Sequence, residues 1–488
     1  MPKPSSALTP EIRSGRLVAP GSFEQTQHFY PRVLNAHIHP LVAAFFRLDN
    51  RQIAARYVHL HPHVDGERLG ELLAYRPRHF AWAGSDLLSV TSDAGQHQMV
   101  VVETNSCPSG QKSMPLLHDS EESGGYRTVL RSAFSDLLDS TDVDGGLAVV
   151  YDKNPMEASG YAAALAAESG EHVWLAEHYD GDADPPVRWA QGVMHVRGSD
   201  GGGWRPIRAC LRYVTQRPWA RIPLGSRTRV LNPVVACLAG GRNKTMAARA
   251  YEMLNAELQP HGLAVRVPET AYNVARRDIP QWIHRMGGRA VIKNPYSNAG
   301  QGVWTVATPA DMHAFMRQDQ RYDKFIVQSL VGNASWSSDT AHGRLYHAGT
   351  VPNRLGQIYA SDIRIMVAGA HDGFRPVSIY ARRAREPLPA HLDSAAPSWD
   401  ALGTNLSVRN ADGSWATDAS RLVLMDSKDF NQLGIGTDDL IDGYIQTVLS
   451  VIAIDKLCQR LLASDGSFDH ELFGRLNPDD ALLDELVP

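Results

Sequence analysis

Cysteine is scarce: Cys107, Cys210, Cys237 and Cys458 are the only four in 488 residues, and none stand in C-x-x-C spacing. That pattern supports neither a disulfide-dense scaffold nor a zinc ribbon and leads us to expect a reducing, cytoplasmic setting. Long apolar runs are missing too. No stretch approaches the ~18 residues of a membrane span, and the first twenty residues lack the apolar core of a signal peptide. There is no internal repeat and no long low-complexity tract. Neither sign of charge dominates, with 48 basic against 53 acidic residues and a net charge of -5. No basic field is present to recruit nucleic acid or an anionic membrane, so the expected partners are small molecules. A homodimer is the base-rate expectation for the assembly.

Lysine is the other rarity. Only Lys3, Lys112, Lys153, Lys244, Lys293, Lys324, Lys428 and Lys456 occur, the remaining bases being arginine, so a lysine inside a motif carries information. The composition itself, 43% apolar and 21% charged, is that of a globular chain able to bury a core, and the length predicts two to four domains.

Pattern switches divide the chain. Phe29 to Leu73 reads as helical, with Leu41, Phe45, Leu48 and Ile53 near helical spacing, whereas Asp86 to Asn105 alternates like a hairpin. Between about Leu116 and Val265, helix-like and strand-like stretches alternate, among them strand Leu147–Tyr151 and helix Asn243–Leu258, which predicts an α/β layer. Strand Ala290–Lys293, a Gly-rich loop, helix Pro309–Met316 and strand Phe325–Gln328 follow as a small lobe. Ile363–Val367 and Val377–Ala381 read as paired strands, Ile441–Leu462 as a helix, and the seven carboxylates after Ser464 as a solvated tail.

Three places carry chemistry. Val291 to Val303 is an apolar strand ending in Lys293 and running into a loop with Gly300 and Gly302, which can aim backbone amides at phosphates beside a point charge. It is not a Walker loop, since Gly240 to Thr245 only imitates that motif's end, and a plain structural turn fits the glycines as well. Glu103 and Asn105 stand two apart at a strand end and share a face, offering oxygen to a hard cation. A hairpin turning near Ala94–Gly95 sets Asp86 opposite Glu103. Opposed like charges favour a shared Mg²⁺, although one carboxylate facing solvent is the plain alternative. Arg364 and Arg383 fall on or beside adjacent strands, and arginine suits a transferring phosphoryl group. Cys107 reads as a small buried residue rather than a nucleophile. The histidines of Asn35 to His39, with His59, His61 and His63 nearby, imitate the H-x-H of amidohydrolases, but the barrel pattern of such enzymes is absent.

Together these segments resemble the ATP-grasp superfamily, and their order is similar to its circularly permuted branch, which includes glutathionylspermidine synthetase-like ligases. Glu103-Thr-Asn105 precedes both candidate ATP lysines; it is followed by Leu211 to Arg217, Asn232, Gly241 to Thr245, Ile292-Lys293, Phe325 to Val331, Asp362-Ile-Arg364, Arg383 and Asn405. The resemblance spans residues 80 to 410. Two departures are Gln328, where many relatives have an acidic residue, and the absence of a Gly-rich continuation after Asn405.

The resemblance implies an α+β/α/β chain whose two α+β lobes enclose ATP, behind a pre-ATP-grasp-like region. The expected division is a helical region 1–80, the hairpin with the metal motif 81–115, the α/β domain 116–265, a lid 266–335, and a C-terminal lobe with its helix 336–488. ATP would contact Lys244, Lys293, Ser297, Asn298, Gly300, Gln301, Gly302, Gln328, Ser329, Leu330, Val331 and Asn405. Asp86, Glu103 and Asn105 would hold Mg²⁺, and Arg364 and Arg383 would be catalytic. The implied reaction joins a carboxylate to an amine, both amino-acid-like or short peptides, through an acyl phosphate. A phosphotransferase on the same site and, more distantly, a histidine-based metal hydrolase are the alternatives.

Overall fold

The computed structural model describes residues 13–118, 120–138, 143–199, 203–297, 302–392, 398–409 and 415–486. It is mixed α+β, built on three larger sheets. Short helices dominate the N-terminal region. Helix Asn50–Leu60 starts at a capping box, in which Asp49 accepts from the Gln52 amide at 2.7 Å and Gln52 returns an acceptor to the Asp49 amide at 3.0 Å. The region is not wholly helical, however. Arg16–Val18 is an edge strand paired antiparallel to Val173–Glu177, too short to show a period in the sequence.

That partner belongs to the α/β layer. Strand Gly146–Tyr151 runs parallel to Val173–Glu177 on one side and to Trp204–Tyr213 on the other, and Arg229–Leu231 extends the parallel set. Leu147 to Val150 are buried without alternation, as strands covered on both faces require. The alanine-rich helix Pro155–Ser169 makes the crossover to Val173–Glu177.

The second sheet holds the hairpin Trp82–Ser92 and His97–Asn105 beside strands Ser361–Ala370 and Gly373–Arg383, all antiparallel. Asp86 lies opposite Glu103, the register expected from the turn position. One step further the partner of Leu87 is Val101, so Val102 is an extra, bulged residue beside Glu103. The third sheet, Thr270–Ala275, Lys324–Gln328, Ala290–Lys293 and Val303–Val306, is antiparallel. It has its own small core around Ile292, Phe315 and Phe325, which makes it a lobe rather than an extension of either larger sheet.

Helix Thr437–Arg460 is buried along most of its 24 residues and packs between the hairpin strand His97–Asn105 and helix Lys244–Leu258. The crossing is close. Gly240, at φ 153°, precedes helix Lys244–Leu258, and a Cβ there would lie 2.7 Å from Ile454 Cγ1. The acidic tail is not a solvated end. Asp479 accepts from Tyr296 at 3.0 Å, and Glu485 accepts from Tyr322 and Trp219, each at 2.9 Å. Leu472, Leu476, Leu482 and Leu483 explain the difference, supplying a packed face among the charges that a count of carboxylates does not reveal.

Asp455 ties this helix to the start of the hairpin. Fully buried, it accepts from the amides of Arg78, His79 and Phe80 at 3.1, 2.7 and 2.8 Å and from Tyr75 at 2.7 Å. Asp455→Ala orphans all four donors, and we expect a loss on the order of 3 kcal/mol or more in urea denaturation. A loss below about 1 kcal/mol would mean that these amides find other partners.

Candidate active site

The four-stranded lobe faces the hairpin sheet across a cleft with two basins, of about 440 Å³ and about 180 Å³, that meet at Glu103, Lys244, Lys293 and Gln328. Each of these side chains is aimed by local structure. Asn243 caps helix Lys244–Leu258, accepting from the Met246 amide at 3.2 Å, and so sets Lys244 at the first turn. The Lys244 ammonium lies 3.2 Å from Glu103 Oε1 and donates to the Ser297 carbonyl at 2.7 Å. Lys293, at the end of its strand, donates to Gln328 Oε1 at 2.7 Å, and Gln328 in turn donates to Thr270 Oγ1 at 2.8 Å.

Burial shapes the charges. It pushes the Lys293 ammonium down to about 8, opposed by Glu103 and aided by Lys244. At Glu103 burial alone would raise the carboxyl, but Lys244, then Arg242 and Lys293, outweigh burial and Asp86 and hold it below the usual range. The hinge is partly committed. The Ser329 amide donates to the Glu269 carbonyl at 2.8 Å, and the amide and carbonyl of Leu330 both bond Ser338. Leu330, Val331 and Asn405 line the smaller basin. At the other end of the loop, Gly302 has φ 66°, and a Cβ there would sit 2.8 Å from both Asn294 Cβ and Ser297 Oγ. Asn298, Gly300 and Gln301 lie outside the described residues.

Beside the cleft is a buried ionic cluster. Arg364 forks onto Asp86, Nε to Oδ1 at 2.6 Å and Nη2 to Oδ2 at 2.8 Å, and Arg382 reaches the same Oδ2 at 3.0 Å. Arg382 also grips Asp362, with Nε to Oδ1 at 2.9 Å. Burial works against every charge here. At Asp86, Arg364 and Arg382 overcome it and hold the carboxyl well below its usual range. At Asp362, burial and Asp86 prevail over Arg382 and push it up.

Strand alternation places Arg383 elsewhere. It pairs opposite Ser361 and stacks on Tyr359 at 4.8 Å, while its neighbour Arg382, opposite Asp362, lines the cleft. The sequence reading missed Arg382 and Asp362, although the signal was available: Asp362 and Arg364 are two apart, so the arginine across from Asp362 shares their face.

Glu103 and Asn105 present hard oxygen from one strand end, a donor set that suits Mg²⁺ once phosphate oxygens and water complete its shell. Asp86 has both oxygens committed to guanidiniums. Among the described residues no three His, Cys, Asp or Glu side chains converge as a metal site. His39 caps its helix, accepting from the Leu41 amide at 3.2 Å, and His61 stacks on Tyr57 at 4.3 Å. Cys107 is buried, with Sγ bonded to the Arg212 carbonyl at 3.0 Å and its thiol pushed up by burial. No described helix is long and apolar enough to cross a membrane.

No family model matches the chain, and no curated protein does. Among solved structures the chain is similar to a RimK domain ATP-grasp protein from Sphaerobacter thermophilus, at 16% identity over 48% of this chain and 89% of that one, with a TM-score of 0.29. It is similar to a glutathione synthetase-like effector from Globodera pallida in its apo form, at 10% identity, 70% and 81% coverage and a TM-score of 0.37. N5-carboxyaminoimidazole synthetase from Staphylococcus aureus, complexed with ADP, gives 9% identity, 56% and 80% coverage and a TM-score of 0.23.

Two outcomes check the charge network. Arg382→Ala strands Asp362 and half of Asp86, and we expect it to cost about 3–5 kcal/mol in denaturant unfolding, whereas Arg383→Ala, losing one ring contact, should cost about 1 kcal/mol or less. Equal losses would contradict the assignment of faces. Lys293 has a folded pKa depressed from 10.5 to about 8, so the unfolded chain binds the extra proton between these values and stability rises with pH across that window. Lys293→Met should remove on the order of 3 kcal/mol of that rise, read as the difference between the two pH-stability curves.

Proposed function

We propose that this chain is an ATP-dependent carboxylate–amine ligase of ATP-grasp type. The observation that carries the reading is the gathering of Lys244, Lys293 and Glu103, with Lys244 paired to Glu103, in a cleft walled by two antiparallel sheets. Two lysines in a chain that has only eight line one cleft with Glu103, Lys244 paired to that carboxylate and to the Ser297 carbonyl and Lys293 bonded to Gln328. Such a node neutralises a triphosphate and leaves an oxygen donor for its cation.

In this reading the two ammoniums hold the phosphate chain, with the glycine loop over it, and the Gln328 to Val331 segment borders the base. Glu103 and Asn105 would hold Mg²⁺, which supplies charge neutralisation at the phosphates. Arg364, oriented by its fork to Asp86, faces the transferring group, and Arg382 fixes Asp86 from the other side. A substrate carboxylate oxygen forms a bond to the γ-phosphorus as the bond to the bridging oxygen of ADP breaks. The amine then attacks the acyl carbon, phosphate departs, and the amine's proton passes to solvent. Closure of the four-stranded lobe keeps water from the acyl phosphate. No protein nucleophile is needed, in keeping with a Cys107 held in the core.

The test is separate measurement of ADP and phosphate with ATP, Mg²⁺ and panels of amino acids and small carboxylates. We expect equimolar ADP and phosphate only when both a carboxylate and an amine are supplied, with Glu103→Gln and Lys244→Ala lowering turnover about a hundredfold or more. ADP without phosphate would make the protein a kinase on the same node; ATP that neither binds nor turns over would end the proposal.

A further inference from the structure

Two aromatic side chains leave the four-stranded lobe and pack elsewhere. The lobe has its own core around Ile292, Phe315 and Phe325, yet Tyr296 and Tyr322 are buried in the core of the main body. Their rings meet edge to face at 4.6 Å, and Trp219 stands edge-on to Tyr296 at 6.3 Å. Tyr322 comes just before strand Lys324–Gln328, whose other end leads into the Gln328–Val331 hinge. At about 3.3 Å per residue, Tyr322 lies on the order of 15 Å from Gln328, at the end of the lobe away from the hinge.

Both tyrosines are met by the segment that holds helices His470–Leu476 and Asp480–Asp484. Phe473 and Leu482 fix that segment in the main core. Tyr296 donates to Asp479 Oδ2 at 3.0 Å and accepts from Asn477 at 2.8 Å, and Asn477 accepts from Asn243 at 3.1 Å, next to Lys244. Glu485 gathers donors from two sides. From the lobe, Tyr322 and Arg321 reach its Oε1 at 2.9 and 2.6 Å. From the loop after strand Trp204–Tyr213 of the α/β layer, Trp219 reaches Oε2 at 2.9 Å and Arg217 reaches Oε1 at 3.6 Å. The Glu485 side chain is 9% exposed, so solvent screens these contacts little. Burial, then Glu485, hold the Tyr322 phenol above its usual range, and it stays a donor at neutral pH.

The lobe is therefore held at two ends, by the chain itself at the hinge and by one carboxylate at the far end. A swing about the hinge moves Tyr322 and Arg321 relative to Trp219 and Arg217, and a carboxylate anchored beside Leu482 cannot follow both pairs. The two basins are lined by other residues, so these five side chains stand clear of the cleft.

We propose that residues 470–485 form a latch that restrains the lobe from swinging open, with Glu485 as its catch, and so governs how fast the cleft exchanges its ligand. The mechanical part goes beyond the ligase reading; the kinetic part rests on the nucleotide site of that reading. Because the catch lies outside both basins, weakening it alters access and leaves affinity alone. Entry and exit of nucleotide then speed up together, whereas a residue that shapes the site would raise the exit rate by itself.

The experiment compares the native chain with Glu485→Ala and with Tyr322→Phe, which keeps the ring and loses one hydrogen bond. All three carry spin labels on His313→Cys in the lobe and Arg51→Cys in the main body, both exposed positions, while the four native cysteines are buried. Pulsed electron-spin distance measurement reads the lobe position, and stopped flow reads association and dissociation of a fluorescent MgADP analogue. We expect the fraction of long distances to rise about tenfold in Glu485→Ala and severalfold in Tyr322→Phe, with both rate constants rising by similar factors and the Kd staying within about twofold. Distances that stay native in both variants would overturn the latch. So would a rise in the exit rate alone, since Glu485 would then be shaping the site. Should Glu485→Ala fail to fold, Tyr322→Phe decides the same outcomes. A native chain that binds no MgADP while its lobe distances still respond to both substitutions would sink the ligase reading and leave the latch standing.

Discussion

Two guanidiniums and two carboxylates share one face of three neighbouring strands, largely withdrawn from water, and the cleft beside them is shaped by that arrangement. Arg364, Asp86, Arg382 and Asp362 form an alternating chain across Trp82–Ser92, Ser361–Ala370 and Gly373–Arg383. Removing such charges from water is costly, and it is tolerated because every carboxylate oxygen in the cluster faces a guanidinium. Structurally, the cluster locks the register of strands from distant parts of the chain, because a slip by one residue would turn every charge to the opposite face. Glu103 owes its position to that lock, being paired with the strand that carries Asp86.

From this anchor the site is assembled by three supports that do not touch ligand. The bulge at Val102 re-aims the end of the hairpin strand. The close passage of Ile454 past Gly240 sets where helix Lys244–Leu258 begins, and therefore where Lys244 stands. Asn243 bonds Asn477 at 3.1 Å and Asn477 bonds Tyr296 at 2.8 Å, which ties the C-terminal segment both to the start of helix Lys244–Leu258 and to Tyr296. The four-stranded lobe keeps a separate small core, so it is joined to the rest through few apolar contacts, the anatomy expected of a part that moves on ligand binding.

What was legible in the sequence was local and periodic. The hairpin register, the strand ending at Lys293 and the helix Pro309–Met316 follow from alternation, turn position and a proline start, all of which are properties of neighbouring residues. Long-range pairing left no such trace. That Arg382 rather than Arg383 faces Asp86 depends on which residue of a distant strand it opposes. The packing of the acidic tail depends on Tyr296 and Tyr322, which lie more than a hundred residues upstream. Arg16–Val18 shows the same limit, since a three-residue strand is specified by the edge it joins.

The separation of paired groups along the chain has a kinetic side. Asp86 and Arg364 are 278 residues apart, and Asp455 reaches back 375 residues to Phe80. A ribosome delivering this chain exposes the hairpin long before the strands and the helix that cover it exist, whereas the parallel strands between 146 and 231 meet their partners promptly. Folding therefore proceeds from the middle layer outward, and the apolar face of the hairpin, with Leu87, Met99 and Val101, waits for the last third of synthesis before it is sheltered. During that interval the half of the protein that builds the cleft is the part most in need of a chaperone.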